Sequence, residues 1–206
     1  YGSDPGFSVA SNGGTHTAWE DVALIREIPG AVICDPADDV QMEWIIKEFS
    51  KMEGIHYVRS NRKAVRNVYK KGSSFKIGQG NILKEGKDIL IIAAGQLVSE
   101  ALDCAEELEK EGHSVEVIDM FTIKPLDEKL LIKEAKGKSK IVTIENHSIY
   151  GGLGSAVSEV IAENGIPVPV KRIGVKEKFG QVGTAEFLQK EFGLTAKQIK
   201  ETICQF

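Results

Sequence analysis

No apolar run in this sequence approaches the roughly 20 residues that a membrane-spanning helix needs. It also carries no secretory signal pattern. Cysteine is scarce: Cys34, Cys104 and Cys204 are far apart, odd in number and in no CxxC or metal-ligand spacing. That excludes a disulfide scaffold and a zinc ribbon, and fits reduced thiols in an intracellular, cytoplasmic protein. Excess basic charge is missing as well. The net charge is -4 with both signs interspersed, which argues against a nucleic-acid binder working through a basic field. There is no serine nucleophile elbow, no HExxH, no GxGxxG and no GxxxxGK[ST] phosphate loop. What remains is ordinary for a soluble globular protein: 206 residues, 42% hydrophobic and 27% charged, enough for one large domain or two small ones.

The chain alternates between strand-like and helix-like stretches. Gly6–Ala10 reads as a short strand, followed by a glycine loop and a helix from Trp19 to Ile28 that stops at Pro29-Gly30. Ala31–Cys34 is a second strand. Asp38 with Gln41 three residues on makes a capping-box pattern for a helix whose stripe is Val40, Trp44, Ile45 and Phe49. Ile55–Val58 is a third strand. The sequence opens on Tyr1 in mid-pattern, so it reads as a fragment or processed product. Residues 63–86 break the rhythm with Lys, Gly and a serine pair, and hold one short strand near Phe75–Ile77. From Lys87 the alternation is regular. Strands at 88–94, 114–118, 140–144 and 168–173 are separated by helices at 97–111, 126–135 and 153–162, with helices near 184–192 and 195–204 closing the chain. The expected fold class is α/β, with two doubly wound, mostly parallel-sheet domains. The first, 1–65, is truncated; 66–86 is a linker; 87–206 is the second.

Three places could carry chemistry. In Asn12-Gly13-Gly14-Thr15-His16-Thr17 two glycines let the backbone approach another object, and His16 precedes a helix start, a natural place to meet an anion. The plainer reading is a polar turn with a locally bonded histidine. In Arg59-Ser60-Asn61-Arg62, directly after a strand, an arginine can fork onto a phosphate; surface ion pairing is the alternative. Glu145-Asn146-His147-Ser148 followed by Gly151-Gly152-Leu153-Gly154 reads as a strand end, a polar turn and a glycine-rich helix start. Those glycines serve close helix-to-sheet packing more readily than nucleotide binding. His56 packs within its strand and His113 sits after a helix-ending glycine.

Taken together, these residues resemble a known family. Asn12–His16, Glu20-Asp21, Ile28-Pro29 and Pro36-Ala37-Asp38 are similar to the second half of the pyrimidine-binding domain of transketolases. Val117–Met120, Thr122–Asp127, Thr143–Glu145, Gly151–Ala156, Phe179–Gly183 and Phe192–Thr195 resemble their C-terminal domain. Deoxyxylulose phosphate synthase and the β subunits of 2-oxo acid dehydrogenases are cousins. The resemblance implies part of a thiamine diphosphate enzyme that moves a two-carbon ketol unit between sugar phosphates. It makes His16 a catalytic residue and a substrate-phosphate ligand. Arg62 is the second phosphate ligand, with Arg59 as the fallback. Asn12 contacts a substrate hydroxyl, although the family usually has aspartate there. The activating glutamate, the aromatic shelf for the aminopyrimidine and the domain holding the diphosphate and its divalent metal (Mg or Ca) lie outside this sequence. The chain is therefore expected to bind no cofactor alone and to be inactive alone. An N-terminal transketolase section and a second copy in a homodimer are its expected partners, with no nucleic acid and no membrane. The competing class is a non-catalytic dimerisation or regulatory module binding an anion at His147.

Overall fold

The computed structural model describes residues 1–206. Its centre is a strand that is apolar on every position. In β5 (Ile89–Ala93), Ile89, Ile91 and Ala93 point into one core while Leu90 and Ile92 point into another. A strand covered on both faces reads as a continuous hydrophobic run and belongs inside a parallel sheet. It lies third of five. Next to it run β6 (Val115–Asp119) and β8 (Lys140–Ser148), with β4 (Asn81–Lys84) and β9 (Val170–Val175) at the edges. All pairings are parallel except β4 with β6.

Helices cover both faces. On one side α3 (Val98–Lys110) buries Val98, Ala101, Cys104, Ala105 and Leu108, and α7 (Ala196–Gln205) adds Ile199 and Ile203. On the other, α4 (Glu128–Ala135) and α5 (Leu153–Glu163) pack Leu131, Leu153, Val157 and Ile161 against Leu90 and Ile92. The short α6 (Ala185–Glu191) seats Leu188 in the first core. Side-chain caps hold the helix starts: Asp127 accepts from the Leu130 amide at 3.0 Å, Thr184 from Phe187 at 3.1 Å and Thr195 from Gln198 at 3.4 Å.

The first sheet has four strands in the order β1 (Gly2–Ser3), β3 (His56–Ser60), β2 (Val32–Cys34) and β7 (Thr122–Lys124). Its first three are parallel; β7, which follows β6 in the chain, closes it antiparallel to β2. Two helices accompany it, α1 (Asp21–Arg26) and α2 (Asp39–Phe49). Asp38 caps α2 through the Gln41 amide at 2.9 Å, as its spacing predicts, while the Gln41 side chain accepts from Ala37 rather than Asp38. The sheets share side chains: Phe7 and Trp19 sit in one core, Val22 and Ile33 in the other. No helix is long and apolar enough to cross a membrane.

Three local expectations fail for identifiable reasons. Gly6–Ala10 is not a strand but part of a 3-10 segment, Gly6–Thr15. Phe7 and Val9 are buried as the alternation requires, but Gly6 (φ +57) and Ala10 (φ +49) are left-handed and coil the chain instead of extending it. The strand near Phe75–Ile77 lies at Asn81–Lys84; the Phe75 ring is instead taken edge-on by Trp44, Tyr69 and Phe121. And β8 continues through Ser148, so the polar residues after Ile144 lie within a buried strand rather than a turn.

Candidate functional site

The C-terminal ends of β2 and β3 point at one region, where an open α/β sheet collects ligands. Arg59 and Arg62 belong to this strand end and differ completely. Arg59 is among the largest fully buried side chains, 1% exposed. Its Nε and Nη2 donate to Asp21 at 2.9 and 3.2 Å, its Nη1 to Asp35 at 2.8 Å, and Nη2 also to the Asn146 carbonyl at 3.0 Å. Burial penalises the guanidinium charge, but Asp35 and Asp21 more than offset it and hold its pKa above the ordinary value. With four of its five N–H donors committed internally, buried Arg59 has little left to offer a substrate phosphate. It is a bolt joining α1, the end of β2 and β8.

The surroundings of this bolt set the nearby pKa values. Burial works against ionised Asp21, yet Arg59 and the Tyr57 hydroxyl, 2.8 Å away, bring it below the carboxylate norm. Burial pushes Asp35 up. His147 is 1% exposed; burial and the neighbouring Arg59 charge push its imidazole down to about 4. Its Nδ1 lies 2.6 Å from the Ser148 carbonyl, which assigns the proton to that nitrogen, while Nε2 faces Asp21 Oδ1 at 3.8 Å without a hydrogen bond. A histidine buried this deeply presents no exposed imidazole to a regulatory anion. Glu145 accepts the Leu153 and Gly154 amides at 2.7 and 2.9 Å, a carboxylate on the start of α5. A Cβ on Gly152 would stand 2.0 Å from that carboxylate, so the glycine run here exists for close packing.

Arg62 is exposed and lines a cavity of about 300 Å³ with Pro36, Asp38, Asp39 and Asn67. Asp4, buried at 3%, accepts the Arg62 amide at 2.9 Å and lies 2.6 Å from its Nη2. His16 is exposed at the end of the 3-10 segment, Nδ1 2.9 Å from the Thr15 hydroxyl. The glycines before it are needed for close approach: a Cβ on Gly13 would meet Val182 at 2.5 Å, and one on Gly14 the Gly180 carbonyl at 2.8 Å. Asn12 is exposed, its carbonyl facing Thr15. The 3-10 segment and the β3 end are tied by Asp4 to Arg62 and by Ser8 to Asn61 at 2.7 Å. None of the five main cavities is lined by both His16 and Arg62. The chain thus presents two exposed basic groups that none of these cavities brings together.

The parts that Asp4, Asp21, Asp35 and Asn146 play as internal partners were not visible in the sequence. Asn146 is 2% exposed and binds the Pro5 carbonyl and the Phe7 amide at 3.0 and 3.1 Å, anchoring the 3-10 segment to β8. Only the turn-forming Asp4-Pro5-Gly6 hinted that the chain bends there. His56 stacks on Phe49 at 4.9 Å, and His113 is a surface residue 3.7 Å from Asp88.

Comparisons with known proteins bear on the family and the fold. A family model described as the C-terminal domain of transketolase matches residues 78–199. A 6-deoxy-6-sulfo-D-fructose transketolase subunit of Clostridium sp. is 41% identical over 198 residues, covering 96% of this chain and 61% of that protein. A putative transketolase C-terminal section of Methanocaldococcus jannaschii is 40% identical over 202 residues, covering 97% and 63%. Among solved structures, a split-gene transketolase described as an inactive β4 tetramer superposes with a TM-score of 0.88 at 38% identity, covering 98% of this chain and 64% of that one. The chain therefore spans about three-fifths of the length of these two curated relatives.

Proposed function

Because the chain belongs to the transketolase family, as its C-terminal section, we propose that it is the substrate-positioning part of a thiamine diphosphate-dependent enzyme. That enzyme transfers a two-carbon ketol unit between sugar phosphates. The division into units 1–65 and 87–206 joined by 66–86 is part of the same reading. The observation that carries it is the exposed guanidinium of Arg62, held by Asp4 at the carboxyl end of β3. A forked guanidinium and an imidazole N–H suit a terminal phosphate, and each charge-assisted hydrogen bond is worth about 1.5–3 kcal/mol, enough to prefer phosphorylated sugars. His16 and Arg62 are the proposed phosphate ligands, with Asn12 placed to meet a hydroxyl.

Thiamine diphosphate does not fit this chain alone. Each buried carboxylate is engaged inside it: Asp35 with Arg59, Glu145 with α5, Asp119 with Tyr69 and Gln41, Glu116 with Lys138, Asp38 with backbone amides, Asp4 with Arg62. Each is held by at least one internal partner, and no group of three or more His, Cys, Asp or Glu side chains is arranged for a metal ion. The reactive carbon and its activation are assigned to an N-terminal section, with a homodimer completing the assembly. A coupled assay tests this. With thiamine diphosphate and magnesium, the 206-residue chain is expected to show no transfer, and its full-length form combined with an N-terminal transketolase section to show it. Turnover by the chain alone would overturn the partial-chain reading; no turnover with the section and a range of sugar phosphates would overturn the transfer reading.

A further inference from the structure

Asp4 occupies a costly position. Its side chain is 3% exposed, and its backbone sits at φ +55, a region that residues with a Cβ rarely adopt. Burying a carboxylate is unfavourable unless a partner compensates it. Every polar contact of Asp4 goes to residues 60–62. Its amide donates to the Ser60 carbonyl at 2.7 Å, Oδ1 accepts the Arg62 amide at 2.9 Å, and Oδ2 lies 2.6 Å from Arg62 Nη2. The Oδ1 bond alone would brace the turn after β3, and an asparagine would supply it equally well. Oδ2 is different. It is buried, makes no aligned hydrogen bond, and meets only the end of a side chain that is itself 63% exposed.

An exposed arginine is ordinarily free to sample many rotamers. Here its end is held against a carboxylate whose own base is fixed to the core. Pro5 and Phe7 are bonded by Asn146 from β8, and a Cβ on Gly6 would stand 2.1 Å from the Asn146 amide oxygen. A guanidinium has five N–H donors, and Asp4 faces one Nη. The rest remain available to fork onto an oxyanion. We propose that Asp4 is a positioning residue that aims the Arg62 guanidinium, and through it sets the preference for phosphorylated over free sugars. This rests on the reading of Arg62 as a phosphate ligand.

Aim and charge make opposite demands, which makes the inference testable. A carboxylate beside the site repels a phosphate; were its field all that mattered, neutralising Asp4 would tighten binding. If it aims Arg62, neutralising it weakens binding of the phosphorylated ligand only. The experiment measures affinity for ribose 5-phosphate and for ribose by calorimetry, using the full-length protein assembled with its N-terminal section. Asp4→Asn retains an acceptor for the Arg62 amide and is expected to lower the phosphorylated-to-free preference about tenfold, the loss of one charge-assisted contact. Affinity for ribose stays unchanged. Arg62→Ala removes the preference, and adding Asp4→Asn to it changes nothing further. Asp4→Gly, which suits the left-handed backbone, is the second variant should the asparagine disturb folding, and the same loss is expected. An unchanged or raised preference in both Asp4 variants, with Arg62→Ala still lowering it, overturns the inference and spares the phosphate reading. Parallel loss for both ligands marks Asp4 as merely structural. A preference that survives Arg62→Ala overturns the reading of Arg62 and the inference with it.

Discussion

Replacing Arg59 by methionine is the sharpest test of how the two sheets are joined. The side chain is 1% exposed and donates four hydrogen bonds, two to Asp21, one to Asp35 and one to the Asn146 carbonyl. Methionine fills part of the volume but leaves two carboxylates buried without a cation. Breaking a buried ion pair by removing one partner costs about 3–5 kcal/mol, against a total of about 5–15 kcal/mol for a folded domain. Asp35 already sits above the usual carboxylate range through burial. Without Arg59 both aspartates hold protons more tightly in the folded than in the unfolded chain. The folded state then binds the extra proton, and stability of the variant rises as pH falls from neutrality. Urea unfolding of wild type and Arg59→Met at pH 7 and pH 5 is the assay, with the denaturant slope unchanged between the proteins. The deficit should approach the full value at pH 7 and shrink at pH 5, and Asp21→Asn with Asp35→Asn should restore part of it. A loss below about 1 kcal/mol, the worth of an exposed pair, would refute the reasoning. So would a variant of wild-type stability that has lost its preference for phosphorylated sugars, since Arg59 would then be a ligand.

His147 should titrate near 4 by NMR of its imidazole resonances, against 6.5 in the unfolded chain. Between these values the unfolded state carries a proton that the folded state lacks, so this group's stability contribution is complete above 6.5 and falls by about 1.4 kcal/mol per unit as pH drops; a midpoint at or above 6.5 would sink the claim. Glu145 and Asp119, both pushed up to about 7 by burial, act with the opposite sign, so the resonance rather than the whole unfolding curve is diagnostic. Gly14→Ala places a methyl 2.8 Å from the Gly180 carbonyl and should destabilise by about 1–3 kcal/mol, read by urea unfolding; a neutral result would mean that the 179–183 segment moves aside freely.

The sequence disclosed what depends on repetition and hid what depends on three-dimensional partnership. The apolar runs at β5 and β8 and the helical stripes of α3 and α5 were legible, because burial on both faces of a parallel sheet writes itself as period and composition. Gly6–Ala10 misled because alternating burial of Phe7 and Val9 is shared by a strand and a tight coil, and only the left-handed Gly6 and Ala10 decide between them. Arg59 and Arg62 are identical in type and three positions apart. Nothing local says that Asp21 and Asp35 will converge on the first, while a single aspartate from the chain start faces the second.

That contrast also shows how a rigid interior and an exposed basic group can share one strand end. Asn146 connects both arginines to one strand: its carbonyl accepts from Arg59, and its side chain holds the Pro5–Phe7 turn that carries Asp4. A displacement of β8 against the first sheet would therefore reach Arg62 through only two links, Asn146 to the turn and Asp4 to the guanidinium. The interior arginine sets the position of the platform, and the exposed one works from it. The two roles could not be exchanged. A guanidinium with four internal bonds has too few donors left for a ligand, and one held by a single carboxylate could not join two sheets.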